Sequence, residues 1–101
     1  MKTLVSNASD EEQVKKAKDH VRRGREQELA DIYTVLSTRQ GRRFYWKYLS
    51  FCKVFETSFN HSGSITAFNE GMRNVGLKLL SDMNEACPDV YAVIQKESKE
   101  N

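Results

Sequence analysis

Between Phe44 and Phe55 the sequence reads FYWKYLSFCKVF, so six of the chain's ten aromatic residues fall within twelve positions. No other stretch limits the fold as much. Phe44, Tyr45, Tyr48, Phe51, Cys52 and Phe55 recur at helical spacing and form a broad apolar face, which Trp46 and Leu49 widen. Thr38 is placed to cap the helix at its start, so the expectation is a central helix from about Arg39 to Phe55. One small domain cannot bury such a face all the way round. Either part of it, led by Tyr45 and Trp46, faces a partner, or the N-terminal helices cover it completely.

A chain of 101 residues fits one domain. With 39% hydrophobic and 30% charged residues its core is thin and its surface strongly polar, which favours packing against a copy of itself or a larger partner. Around the aromatic block the periodicity is helical throughout, and no segment alternates as a strand does, so the fold class is all-α: a small bundle of three to four packed helices with a more exposed basic N-terminal helix. Ser9-Asp10-Glu11-Glu12 has the form of a capping box and predicts a helix start. The following stretch has only Val14, Ala17 and Val21 as a narrow apolar stripe, and Gly24 either ends that helix or weakens it. Leu29, Ile32, Tyr33 and Leu36 then mark one helical face, broken at Ser37-Thr38. Glu56 to Ser64 is a polar loop in which Phe59 is expected to tuck underneath. A further helix is expected from Ser64 or Thr66 to Glu85, with Phe68, Met72, Val75 and Leu79 on one face and Leu80 and Met83 beside it. Pro88 is expected to open a last helix reaching Lys96, with Val90, Tyr91, Val93 and Ile94 inward. The chain divides on this reading into a polar, basic segment at 1–28, a helical core at 29–97 and a polar tail at 98–101.

Gly71 and Gly76 lie inside the helix expected to end at Glu85, where each costs about 1 kcal/mol relative to alanine. Five residues separate them by about 140° around a helix, so they do not share a face. The expectation is that each lets a different neighbour approach closely, or that the helix kinks near Gly76. Glu70 and Arg73 stand one turn apart and can pair with each other, or Glu70 can reach Arg42 or Arg43.

Charge is unevenly spread. Twelve Lys or Arg against seven Asp or Glu up to Lys53 give +5, and four against seven thereafter give −3. Lys15, Lys16, Lys18, Arg22, Arg23 and Arg25 form a candidate phosphate-binding run, with a second at Arg39, Arg42, Arg43 and Lys47. Glu11, Glu12, Asp19, Glu26, Glu28 and Asp31 interrupt the first, a pattern more typical of a solvated helix face. DNA is therefore the weaker of two partner classes.

Chemistry has little to work with. His20 and His61 lack second ligands at metal spacing, and Cys52 and Cys87 lack the C-x-x-C pattern. Phosphate-cradling and nucleophile motifs are missing. No catalytic, cofactor or metal residues are expected, and the chain reads as a non-enzyme. It has neither a signal-peptide pattern nor a membrane-length apolar run, so it is expected to stay where it is made.

Several residues together resemble a family of small tailed-phage proteins named after a Bordetella podophage gene product. They are Gly41-Arg42-Arg43, Trp46, Cys52, Phe55, Ser58-Phe59 and the block from Thr66 to Gly76, and the likeness runs from Leu29 to Glu97. The resemblance implies a phage-encoded helical protein associated with head or packaging functions, located in the cytoplasm of the infected host or carried in the particle, and it brings no catalytic residues. It singles out Gly41, Arg42, Arg43, Trp46, Glu70, Gly71, Arg73, Asn74 and Gly76 as an architectural signature that can double as a partner surface; Tyr45 joins them from the aromatic block. The function expected is a virion or assembly protein acting by protein–protein binding, with other phage proteins as partners and a homo-oligomer possible in principle. The alternatives are a DNA-associated accessory protein and a small host-takeover inhibitor.

Overall fold

The computed structural model describes residues 2–100 and the side chains from Ser9 to Glu100. Four helices make up the described residues' fold: α1 (Lys2–Leu36), α2 (Arg39–Phe51), α3 (Gly63–Ala86) and α4 (Val90–Glu100). Among the described residues there is no strand. Asn101, the last residue of the expected polar tail, lies outside the described residues, and the rest of that tail is the last turn of α4.

The first helix is longer than its caps suggested. Ser9 lies inside α1, not at its start, and α1 continues through Gly24 without a break. Strong helix formers (Arg22, Arg23, Arg25, Glu26, Gln27) flank that glycine and offset its cost of about 1 kcal/mol. The expected division between residues 28 and 29 therefore falls within one helix of roughly 50 Å.

Two residues, Ser37 and Thr38, turn the chain into α2. The Thr38 hydroxyl accepts from the Gly41 amide at 3.0 Å, the N-cap anticipated from the sequence. α2 stops at Phe51, a turn earlier than expected, because Lys53 adopts a left-handed conformation (φ 56°). That turn folds Val54 back onto α3. Ser62 caps α3, accepting from the Ile65 amide. α4 begins at Val90, not at Pro88, and the Val90 amide bonds the Cys87 carbonyl.

α2 is the hub. It runs antiparallel to α3, with Tyr45 near Leu79 and Cys52 near Gly76, and antiparallel to α4, with Arg39 near Glu100 and Trp46 near Tyr91. The C-terminal part of α1 crosses α3, again antiparallel, and Arg25 bonds Asp82 at 2.9 Å and Glu85 at 2.6 Å. The core gathers where these helices meet: Leu36, Tyr45, Leu49, Cys52, Val54, Met83, Val90 and Ile94.

Both apolar faces expected from the sequence are rotated. On α2 the inward line is Tyr45, Leu49 and Cys52, while Phe44, Tyr48 and Phe51 point outward. On α3, Gly76 and Met83 are buried with Leu79 and Leu80 packed beside them, but Phe68 and Val75 are exposed. On α1, Tyr33 is exposed. Phe59 does not tuck under its loop: it is 69% exposed and stands edge-on to His61. Periodicity located the helices but overweighted aromatic rings, because it cannot tell which apolar stripe a thin core has room to cover.

The two glycines part company. A Cβ at Gly76 would collide with Val54 and with Cys52 Cβ, 2.6 Å away, so this glycine lets the end of α2 and the following turn lie against α3. Gly71 has open space around it and serves no close approach, contrary to expectation. Gly41 is the other position where only glycine fits, since a Cβ there would run into the Val35 carbonyl. Urea denaturation should separate these cases. Gly71→Ala is expected to raise stability by about 0.5–1 kcal/mol, while Gly76→Ala and Gly41→Ala are expected to lower it by about 1–3 kcal/mol.

Candidate protein-interaction site

Each side of α2 has a different job, set by its sequence register. Tyr45 faces inward and donates its hydroxyl hydrogen bond to the Leu79 carbonyl of α3. Burial, and then the charge of Asp82, push its phenol up to about 12, so it stays a neutral donor across the physiological range. Tyr45 is thus a core residue and not the partner-facing ring anticipated from the sequence. Trp46 is half-buried on the opposite side, where its ring meets Phe55 at 5.7 Å and Tyr91 at 6.4 Å in a cluster between α2 and α4.

Arg42 joins three helices. Its Nε and Nη2 fork onto the Glu97 carboxylate of α4 at 2.8–3.1 Å, and Nη1 donates to the Leu36 carbonyl at the end of α1 at 3.0 Å. The two side chains are only 18% and 17% exposed, and bidentate geometry is where such a pair is strongest. The bond to Arg42 holds the Glu97 carboxyl below its ordinary range, and Glu97 in turn raises the guanidinium. A small cleft beside this pair is lined by Arg39, Arg43, Trp46 and Ile94.

The other singled-out residues do not converge. Arg43, Glu70, Gly71 and Asn74 are exposed, and Gly76 is buried. Glu70 accepts from Ser58, which pins the loop to the start of α3, and pairs with neither Arg73 nor the α2 arginines. Arg73 is half-buried, and its Nε has no partner among the described residues. Of the basic run on α1, Lys15, Lys16, Lys18 and Arg23 are exposed; Arg22 makes long pairs with Asp19 and Glu26. Arg25 is committed to the fold: bonds to Glu85, Asp82 and Glu28 raise its guanidinium. Burial pushes the Asp82 carboxyl up, but Lys78 and Arg25 together hold it below its usual range.

Sequence reasoning missed the surface that stands out. Phe44, Tyr48 and Phe51, at 60%, 40% and 65% exposure, form a row along the outside of α2. Their rings follow one another at 4.9 and 6.4 Å, and the Lys47 ammonium lies 5.6 Å over the Tyr48 ring. Beside them an apolar groove of about 420 Å³ is lined by Val35, Phe44, Tyr45, Tyr48 and Leu79. An exposed, contiguous aromatic surface of this kind marks interaction sites in small proteins. The spacing of Phe44, Tyr48 and Phe51 at i, i+4 and i+7 is the available signal, but it puts them on the same broad apolar face as Tyr45 and Trp46, the rings expected to meet a partner. Among the described residues no group of three His, Cys, Asp or Glu could hold a metal, and no helix is long and apolar enough to cross a membrane.

The carboxylates give the fold a pH dependence of definite sign. Glu97 and Asp82 are both depressed in the folded state, so their contribution is complete above the unfolded values of about 4 and is lost as pH falls through the lower folded values. Thermal melts should therefore be level from pH 7 to about 5 and decline below about 4, and Glu97→Gln should remove part of that acid-side decline while lowering the melting temperature at neutral pH.

The family model described as Bbp19-like phage protein matches residues 33–96, which takes in the end of α1, all of α2 and α3 and most of α4. No curated protein and no solved structure matches the chain. The match covers more than half the sequence, and the chain belongs to this family of phage proteins.

Proposed function

We propose that this Bbp19-like phage protein acts without catalysis, by binding another phage protein during head assembly or genome packaging, in the infected cell or within the particle. The observation that carries the reading is the outward row of Phe44, Tyr48 and Phe51 with its adjoining groove. Rings held on a rigid helix cost little entropy to immobilise, and a desolvated aromatic anchor is the usual centre of a binding surface. The ion pairs behind the row support this use, since they fix α2 against α1 and α4 and so present the rings in one arrangement. The family's phage origin supplies the class of partner.

The sharpest test combines recovery and mutation. The tagged chain, expressed in infected cells, should retain a phage-encoded head or packaging protein, and the purified pair should bind directly. Phe44→Ala/Phe51→Ala should weaken that binding at least tenfold, as expected when two ring anchors are truncated, with the thermal melt nearly unchanged because both rings are exposed. Retention of no phage protein, or binding that ignores the double substitution, would contradict the proposal.

A further inference from the structure

The N-terminal half of α1 extends past the end of α3. Arg25 already meets Glu85 in the last turn of α3, and the helix continues for some twenty residues beyond. Along its full described length one exposed line carries Asp10, Val14, Ala17, Val21, Gly24, Glu28, Asp31 and Val35. These positions alternate steps of four and three, the spacing that keeps a seam against a partner helix. Val14, Val21 and Val35 are 51%, 71% and 44% exposed, and nothing approaches Gly24, which leaves a notch at mid-helix.

Charge along the same helix comes in blocks: acidic at residues 10–12, basic from Lys15 to Arg25, acidic again at Glu26, Glu28 and Asp31. A parallel copy would set like block against like. An antiparallel copy crossing between Gly24 and Glu28 lays Lys18 and Arg22 of each chain along Glu28 and Asp31 of the other, and brings each Ala17 toward the other's Val35. A two-fold interface requires one surface to be complementary to itself, and this pattern is.

Surface area points the same way. The chain exposes 7818 Å², against roughly 5900 Å² for a compact monomer of its mass. The excess is larger than the roughly 800 Å² per partner that a standard interface buries. The radius of gyration is 20.0 Å, where about 13 Å is usual for this length. From these observations we propose that α1 pairs antiparallel with α1 of a second copy, crossing between Gly24 and Glu28.

Sedimentation of the purified full chain should show a dimer. Lys18→Glu/Arg22→Glu should raise its dissociation constant on the order of tenfold or more, by turning attraction into repulsion twice per dimer, and adding Asp31→Lys should recover most of the loss. All three positions are exposed, and circular dichroism would check that each variant stays helical. Mixed Ala17→Cys and Val35→Cys chains should form a 17–35 disulfide on oxidation, identified by peptide mass. A monomer at roughly 100 μM, a loosely bound pair by any standard, would overturn the proposal. So would a dimer indifferent to the charge changes, or one in which Ala17→Cys cross-links to itself in preference to Val35→Cys.

Discussion

The corner between α1 and α2 sets everything downstream of it. There the Val35 carbonyl lies so close to Gly41 that no side chain fits, and Arg42, one residue on, bonds the Leu36 carbonyl while forking onto Glu97. The end of a helix leaves carbonyls without partners, and an arginine is well suited to satisfy one of them. By spending one guanidinium on the last turn of α1 and on α4, the chain fixes the direction of α2 relative to two other helices. Tyr45 then reaches α3 from the next turn of α2. Gly-Arg-Arg is thus a structural corner, and its second arginine, Arg43, is left exposed.

This corner explains how a thin core still yields a defined shape. Among the described residues the largest fully buried side chains are Leu49, Met83 and Ile94, and the buried core is small, so hydrophobic burial does less here than in a typical domain. Directional bonds between helices take up the task of register: Arg42 to Glu97, Arg39 to Glu100, and Arg25 to Asp82 and Glu85. Such contacts favour one arrangement over its competitors more than they add stability. They also leave much apolar surface uncovered, the row of Phe44, Tyr48 and Phe51 foremost.

How far the sequence reveals this depends on the kind of interaction. Helices were legible because caps and breaks are local: the Thr38 cap and the Ser37-Thr38 turn follow from a few neighbouring residues. The close approach at Gly76 was legible as a need for space, though not the identity of its neighbours, Cys52 and Val54. Gly71 shows the limit, since an identical residue in the same helix meets nothing. The run of α1 through Gly24 was hidden because a local stop signal is overridden by the strong helix formers around it, and its extension past Ser9 because the local start signal there goes unused. Long-range pairs were illegible altogether. Nothing in the order of residues says that Arg42 meets Glu97 and not Glu70, or that Arg25 belongs to α3. The aromatic row was visible as a pattern, but inward and outward stripes on α2 are equally apolar, and only the placement of α3 and α4 decides between them.

Native-state hydrogen exchange on the purified chain tests the central role of α2 most directly. If α2 is the element on which the others are assembled, amides from Tyr45 to Cys52, with those facing them on α3 from Gly76 to Met83, exchange slowest and open only with global unfolding. In Arg42→Ala, exchange in α4 should quicken first while the α2–α3 pair keeps its protection. Slowest exchange in α4, or equal loss of protection everywhere in that variant, would contradict the account.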